Sequence, residues 1–167
     1  MSIRCVKWFL TGWFRCGLMR IHANKLLDEM GMKSDDRLVF RLKGQFGYVD
    51  GSLFSDADLA SVRADTVFLN LENSEVSDCG IANLPDMPAL RCIDLDGTRV
   101  TDIAMERLAT FKSLEEIWLE GTVVSDIGLG FLQSLKGLKF ISVLDCEHIS
   151  DEAVSSLQAA NPGIEVH

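Results

Sequence analysis

One short pattern returns four times in this chain at a nearly constant interval, and a chain that repeats itself is constrained to fold as a row of like units. Leu71 to Asp78 (LENSEVSD), Leu95 to Asp102 (LDGTRVTD) and Leu119 to Asp126 (LEGTVVSD) are spaced by 24 residues, and Val143 to Asp151 (VLDCEHISD) follows with one residue inserted. Aspartates recur at 78, 102, 126 and 151. Apolar columns travel with them: Leu69, Ile93, Ile117, Ile141; then Leu71, Leu95, Leu119, Val143; then Val76, Val100, Val124, Ile149. Ile81, Met105, Leu129, Val154 and Leu84, Leu108, Leu132, Leu157 fill the stretches between.

Each unit reads as a strand followed by a helix. Ile117 and Leu119 alternate with Glu116, Trp118 and Glu120, which is the period of a half-buried strand. Ser125-Asp126 then offers side-chain oxygens that can cap a helix, and Leu129 and Leu132 follow at helical spacing. Stacked units would form a parallel sheet on one side and helices on the other, merging the columns into a core that no single unit could build.

The run L-x-x-I-x-L-x-G-T-x-V-T/S-D, as in Leu90 to Asp102 and Leu114 to Asp126, resembles a leucine-rich repeat protein. Its T-x-V-T/S-D ending is similar to bacterial proteins built from such 24-residue units and, more distantly, to the cysteine-containing subtype of F-box proteins. Cys146 stands at the cysteine position of that subtype, but Ser74, Thr98 and Thr122 occupy it elsewhere, so ubiquitin-ligase function does not carry over. The resemblance covers residues 66 to 167. It implies an α/β leucine-rich-repeat solenoid, with a parallel sheet on the concave face and short helices on the convex face. The expected division is an N-terminal cap over residues 1–65 and four repeats plus a terminal half-strand over 66–167.

The ends of the array are expected to depart from the pattern, because a terminal unit meets water on one side. Phe54-Ser55-Asp56 with Leu59 and Val62 matches the repeat and suggests a degenerate first unit. Leu38 to Leu42 and Gln45 to Val49 flank Lys43-Gly44, which is also consistent with a hairpin. Asn161-Pro162-Gly163 should stop the last helix and Ile164 to Val166 should start one more strand. Further upstream, Val6, Leu10, Trp13, Phe14 and Ile21 fit one helical face, and all five charges before Asp28 are positive. Such a basic, aromatic helix suits a cap, an anchor on an anionic membrane surface, or a targeting segment.

The whole chain carries a net charge of -9, which disfavours nucleic acid, since binding to phosphates runs on clustered positive charge. Five cysteines without regular spacing point to a reducing compartment, and the interrupted apolar stretch near the N-terminus falls short of a signal peptide, so a cytoplasmic protein is expected. No phosphate loop, dinucleotide fingerprint or H-E-x-x-H occurs, Cys146-x-His148 supplies too few ligands for zinc, and helix capping accounts for the aspartate column without calcium. A non-enzymatic protein without cofactor or metal is the consequence.

The outward strand positions carry the remaining signal. They are Phe68, Asn70, Glu72; Cys92, Asp94, Asp96; Glu116, Trp118, Glu120; and Phe140, Ser142, Leu144. Five are acidic and none is basic, and three large aromatics stand among them, which is how a protein-binding patch is composed. The expected site is therefore Phe68, Glu72, Asp94, Asp96, Glu116, Trp118, Glu120 and Phe140, facing a basic protein or peptide. The alternative is a membrane-associated adaptor anchored by the N-terminal helix.

Overall fold

The computed structural model describes residues 47–167, which all lie within one compact unit. The elements run β1 (Tyr48–Asp50), a 3-10 turn (Asp58–Ser61), β2 (Phe68–Asn70), α1 (Asp78–Asn83), β3 (Cys92–Asp94), α2 (Asp102–Leu108), β4 (Glu116–Trp118), α3 (Asp126–Leu132), β5 (Phe140–Ser142), α4 (Asp151–Ala160) and β6 (Glu165–Val166). The protein is α/β: six strands form one all-parallel sheet in sequence order and alternate with helical segments. The expected N-terminal helix and the Leu38 to Leu42 run lie outside the described residues. Of the Gln45 to Val49 run, Tyr48 and Val49 lie in β1, which pairs in parallel with β2, Tyr48 opposite Phe68.

The repeat interval sets the sheet register. Ile93 lies opposite Ile117 and Ile117 opposite Ile141, so each inward side chain stacks on its counterpart in the next unit. The inward columns are buried except at Val143 and Ile149 of the last unit, which are half-buried, and they merge with Ile81, Met105, Leu129, Leu84, Leu108, Leu132 and Leu157 into one core. Helices of six to ten residues are too short to persist alone in water, so this packing holds them.

Each strand leaves the sheet through the same turn. Asn73, Gly97, Gly121 and Asp145 have φ of 54°, 64°, 65° and 58°, and these are the residue types that tolerate left-handed backbone. A buried donor follows in the next position. The Thr98 and Thr122 hydroxyls donate to the Leu95 and Leu119 carbonyls at 2.6 and 2.7 Å, and the Cys146 thiol donates to the Leu119 carbonyl at 3.0 Å. Thr and Cys can both occupy this column because each supplies a small donor, while Ser74 at the same place accepts the Val76 N–H at 3.4 Å.

The aspartate column was expected to cap its own helices, but the carboxylates of Asp78, Asp102 and Asp126 serve the following unit instead. Ser77, Thr101, Ser125 and Ser150 are the N-caps, and each aspartate is the first helical residue. Its carboxylate reaches across to the next unit. Asp78 accepts from the Thr101 N–H at 2.8 Å, the Thr101 hydroxyl at 2.7 Å and the Ala104 N–H at 3.1 Å. Asp102 accepts from the Ser125 N–H at 2.8 Å, its hydroxyl at 2.7 Å and the Gly128 N–H at 3.0 Å. Asp56 and Asp126 bind Ser77 and Ser150 in the same two-atom way. The cap hydroxyl also accepts from its own helix, as Thr101 does from the Ile103 N–H at 3.3 Å. Gly128 must be small, since a Cβ there would lie 2.4 Å from Asp102 Oδ1.

Two measurements check this account. Ile117→Ala should lower unfolding free energy in urea by about 2–5 kcal/mol, because the side chain is fully buried, and Ile117→Asp should leave the protein unfolded. Asp102→Ala should cost about 2 kcal/mol or more, through three lost charge-assisted bonds. Asp151→Ala should cost less than about 1 kcal/mol, since Asp151 is exposed and has no such donors among the described residues. Equal losses at the two aspartates would show that the bridge between units contributes nothing.

Candidate functional site

The outward side of the sheet is less open than its composition suggests. Asp94, Asp96 and Phe140 were expected on an exposed acidic and aromatic surface; they are buried, at 1%, 5% and 4% exposure. Asn70, Cys92 and Ser142 are buried as well, and only Leu144, at 51%, is well exposed among the twelve outward positions. The alternation is right, but side chains on strands about 4.8 Å apart cover one another. Phe140 lies between the Trp118 ring, at 4.7 Å between centroids, and the His167 ring, at 5.3 Å. Ser142 donates its hydroxyl to Glu120 at 2.8 Å.

The two buried aspartates also have backbone work. Asp94 Oδ1 accepts the Asp96 N–H at 3.2 Å, and Asp96 Oδ1 accepts the Glu120 N–H at 2.8 Å. Asp50 and Asn70 hold the chain two residues on in the manner of Asp94, through the N–H groups of Ser52 and Glu72. These are turn-forming side chains at the ends of strands. Their acidity is therefore not simply surface charge.

Phe68 and Glu72 are half-buried on and just after β2, with the Phe68 ring 4.9 Å from that of Tyr48. They lie two strands away from β4. Glu116, Trp118 and Glu120, all half-buried, succeed one another along the outward side of β4 and its extension, and Phe140 backs the indole from β5. The fold thus brings six of the eight expected residues together, with buried Asp94 opposite Trp118 and Asp96 bonded to the Glu120 N–H, and sets Phe68 and Glu72 apart.

Electrostatics distinguish Glu116 from the other carboxylates. Burial lifts its carboxyl above the ordinary glutamate value; the Cys92 thiol hydrogen bond opposes this, Glu115 adds to it, and Arg91 and Lys139 oppose it weakly. The two cations are engaged elsewhere: Arg91 and Lys139 both pair with Glu115, at 2.7 and 2.6 Å, and hold its carboxyl low against the burial that would raise it. Cys92 was expected to face solvent. Burial, followed by the charges of Glu116 and Asp94, pushes its thiol well above the usual range, so it stays protonated and is no nucleophile.

Sequence reasoning passed over two residues of this region. Glu165 and His167 lie on and just beyond β6, 3.0 Å apart, and His167 closes the aromatic row behind Phe140. Extending the strand alternation one residue past Val166 would have placed His167 outward. Ile103, Ile127 and Val123, at or near helix starts, are exposed apolar residues that no column argument had marked. Elsewhere, a cleft of about 210 Å³ is lined by Gly121, Thr122, Val123, Asp145, Glu147 and His148. Among the described residues no three His, Cys, Asp or Glu are placed to hold a metal ion, and no helix is long and apolar enough to cross a membrane.

No protein-family model matches the chain, and no curated protein shows significant similarity to it.

The raised Glu116 carboxyl has a measurable consequence. A glutamate that holds its proton more tightly when folded stabilises the fold most below the unfolded value, about 4.3, and loses that contribution as pH rises through the folded value. Glu116→Gln should therefore gain stability relative to the wild type as pH rises from 4 toward 7, when unfolding is followed in urea at each pH. A difference that does not change with pH would refute the assigned direction.

Proposed function

We propose that this protein is a non-enzymatic interaction module, a leucine-rich-repeat solenoid that binds a basic protein or peptide on the outward side of its sheet. One observation carries the reading. Trp118 is half-buried against Phe140 with Glu116 and Glu120 two residues to either side, and no lysine or arginine among the described residues pairs with either glutamate. An aromatic anchor flanked by carboxylates without ion pairs of their own suits a cationic partner, with the acids steering encounter and the indole supplying buried contact.

Support for the solenoid comes from the constant interval, the parallel strands in sequence order and the carboxylate bridges between units. Burial of Asp94 and Asp96 moves the proposed surface from the middle of the sheet to β4, β5 and β6. Leu144 and His167, both exposed, extend it. The reading places the protein in the cytoplasm, where its three described cysteines would remain free thiols.

Affinity capture from the native host followed by mass spectrometry should return a partner with a basic binding segment. Against that partner, Trp118→Ala should weaken binding by more than about 1 kcal/mol, and Glu120→Lys should mainly slow association and reduce its salt dependence. If both variants bind like the wild type, the sheet is not the functional surface.

A further inference from the structure

The row of side chains on β4 has a more specific geometry than an acidic surface. At about 3.3 Å per residue, outward neighbours on a strand stand about 6.6 Å apart, so Glu116 precedes Trp118 along β4 at that spacing, and Glu120 lies two residues past it where the chain leaves the strand. Phe140 packs against the indole at 4.7 Å, tilted by 44°, and His167 packs against Phe140 in turn, so the ring is braced from one side. Glu120 is braced by the Ser142 hydroxyl at 2.8 Å. The indole and the Glu120 carboxylate are thus held in place before any partner arrives.

We propose that Glu116, Trp118 and Glu120 form a seat for one arginine side chain of the partner, its guanidinium lying over the indole and hydrogen-bonded to a flanking carboxylate. The inference rests on reading the sheet as a protein-binding face and narrows that reading to one recognition chemistry. Arginine fits better than lysine for three physical reasons. Its guanidinium is planar and stacks on an indole, its paired N–H groups match a carboxylate, and it gives up water more readily than an ammonium. Glu116 supplies a further argument: it is a partly buried carboxylate with no ion pair of its own among the described residues, while Arg91 and Lys139 pair with Glu115. Its burial is only partly offset in the free fold, and a docked guanidinium would offset it further.

The test uses the full chain, labelled with nitrogen-15, and follows the Trp118 indole N–H, assigned by Trp118→Phe. The probes are N-acetyl-arginine amide, N-acetyl-lysine amide and N-acetyl-citrulline amide, citrulline being the neutral analogue of the same shape. The arginine probe should shift the indole signal saturably in the millimolar range and bind at least about fivefold more tightly than lysine, with no saturable shift from citrulline. The Glu116→Gln/Glu120→Gln double variant, checked as folded by its spectrum, should lose at least about tenfold of that affinity. No saturable shift with arginine, equal response to citrulline, or an unaffected double variant would each overturn the seat. The broader reading is judged separately with the captured partner. A partner weakened by Trp118→Ala but not by the double variant leaves the binding face standing without the arginine seat, and one indifferent to all these changes removes both.

Discussion

The bridge from each helix start to the next is the contact on which this architecture depends. A helix leaves its first N–H groups without partners, and in helices of six or seven residues those groups are a large share of the backbone. At α2 the Thr101 and Ala104 N–H groups are taken by Asp78 of the preceding unit, and the Ile103 N–H by the Thr101 hydroxyl. The same aspartate-to-cap arrangement recurs at α3 through Asp102 and Ser125. Capping and stacking are thus one interaction, so a helix is completed only when its neighbour is present. That coupling is the physical content of a repeat protein's dependence on adjacent units.

Parallel strands in register extend the same logic to the other side of the core. Past the three residues of each strand the ladder continues, with the Leu95 and Gly97 N–H groups donating to the Trp118 and Glu120 carbonyls. The left-handed residues at 73, 97, 121 and 145 then turn every chain segment off the sheet at one level. Where the interval lengthens by a residue, before Asp151, the pattern bends locally: the Ala153 N–H turns to its own cap Ser150 instead of to Asp126.

Acidic side chains on the outward face divide by this local chemistry. Asp94 and Asp96 are short, reach backbone N–H groups at the strand ends and are buried doing so. Glu116 and Glu120 are a methylene longer, and their carboxylates take no backbone N–H among the described residues; Glu120 accepts the Ser142 hydroxyl. Charge counting treats all four alike, whereas hydrogen bonding separates structural from available carboxylates. The aromatic residues divide similarly, with Phe140 enclosed by two rings and Trp118 partly open.

The strand–helix alternation and the core columns were legible in the sequence, because a repeated interval converts one-dimensional spacing into stacked positions. Ile93, Ile117 and Ile141 had to align once the units were parallel and of equal length. Which residues face outward was also legible, since alternation along a strand is a local property. How much of each outward residue meets water was not, because that depends on lateral neighbours 24 residues away in sequence. The same holds for the aspartate column: its recurrence is visible in the chain, but that its carboxylates serve the following helix is a contact between units. Local alternation and interval were set by the amino-acid sequence alone. Exposure and hydrogen-bond partnership were decided by tertiary structure, because both belong to pairs of residues that only stacking brings together.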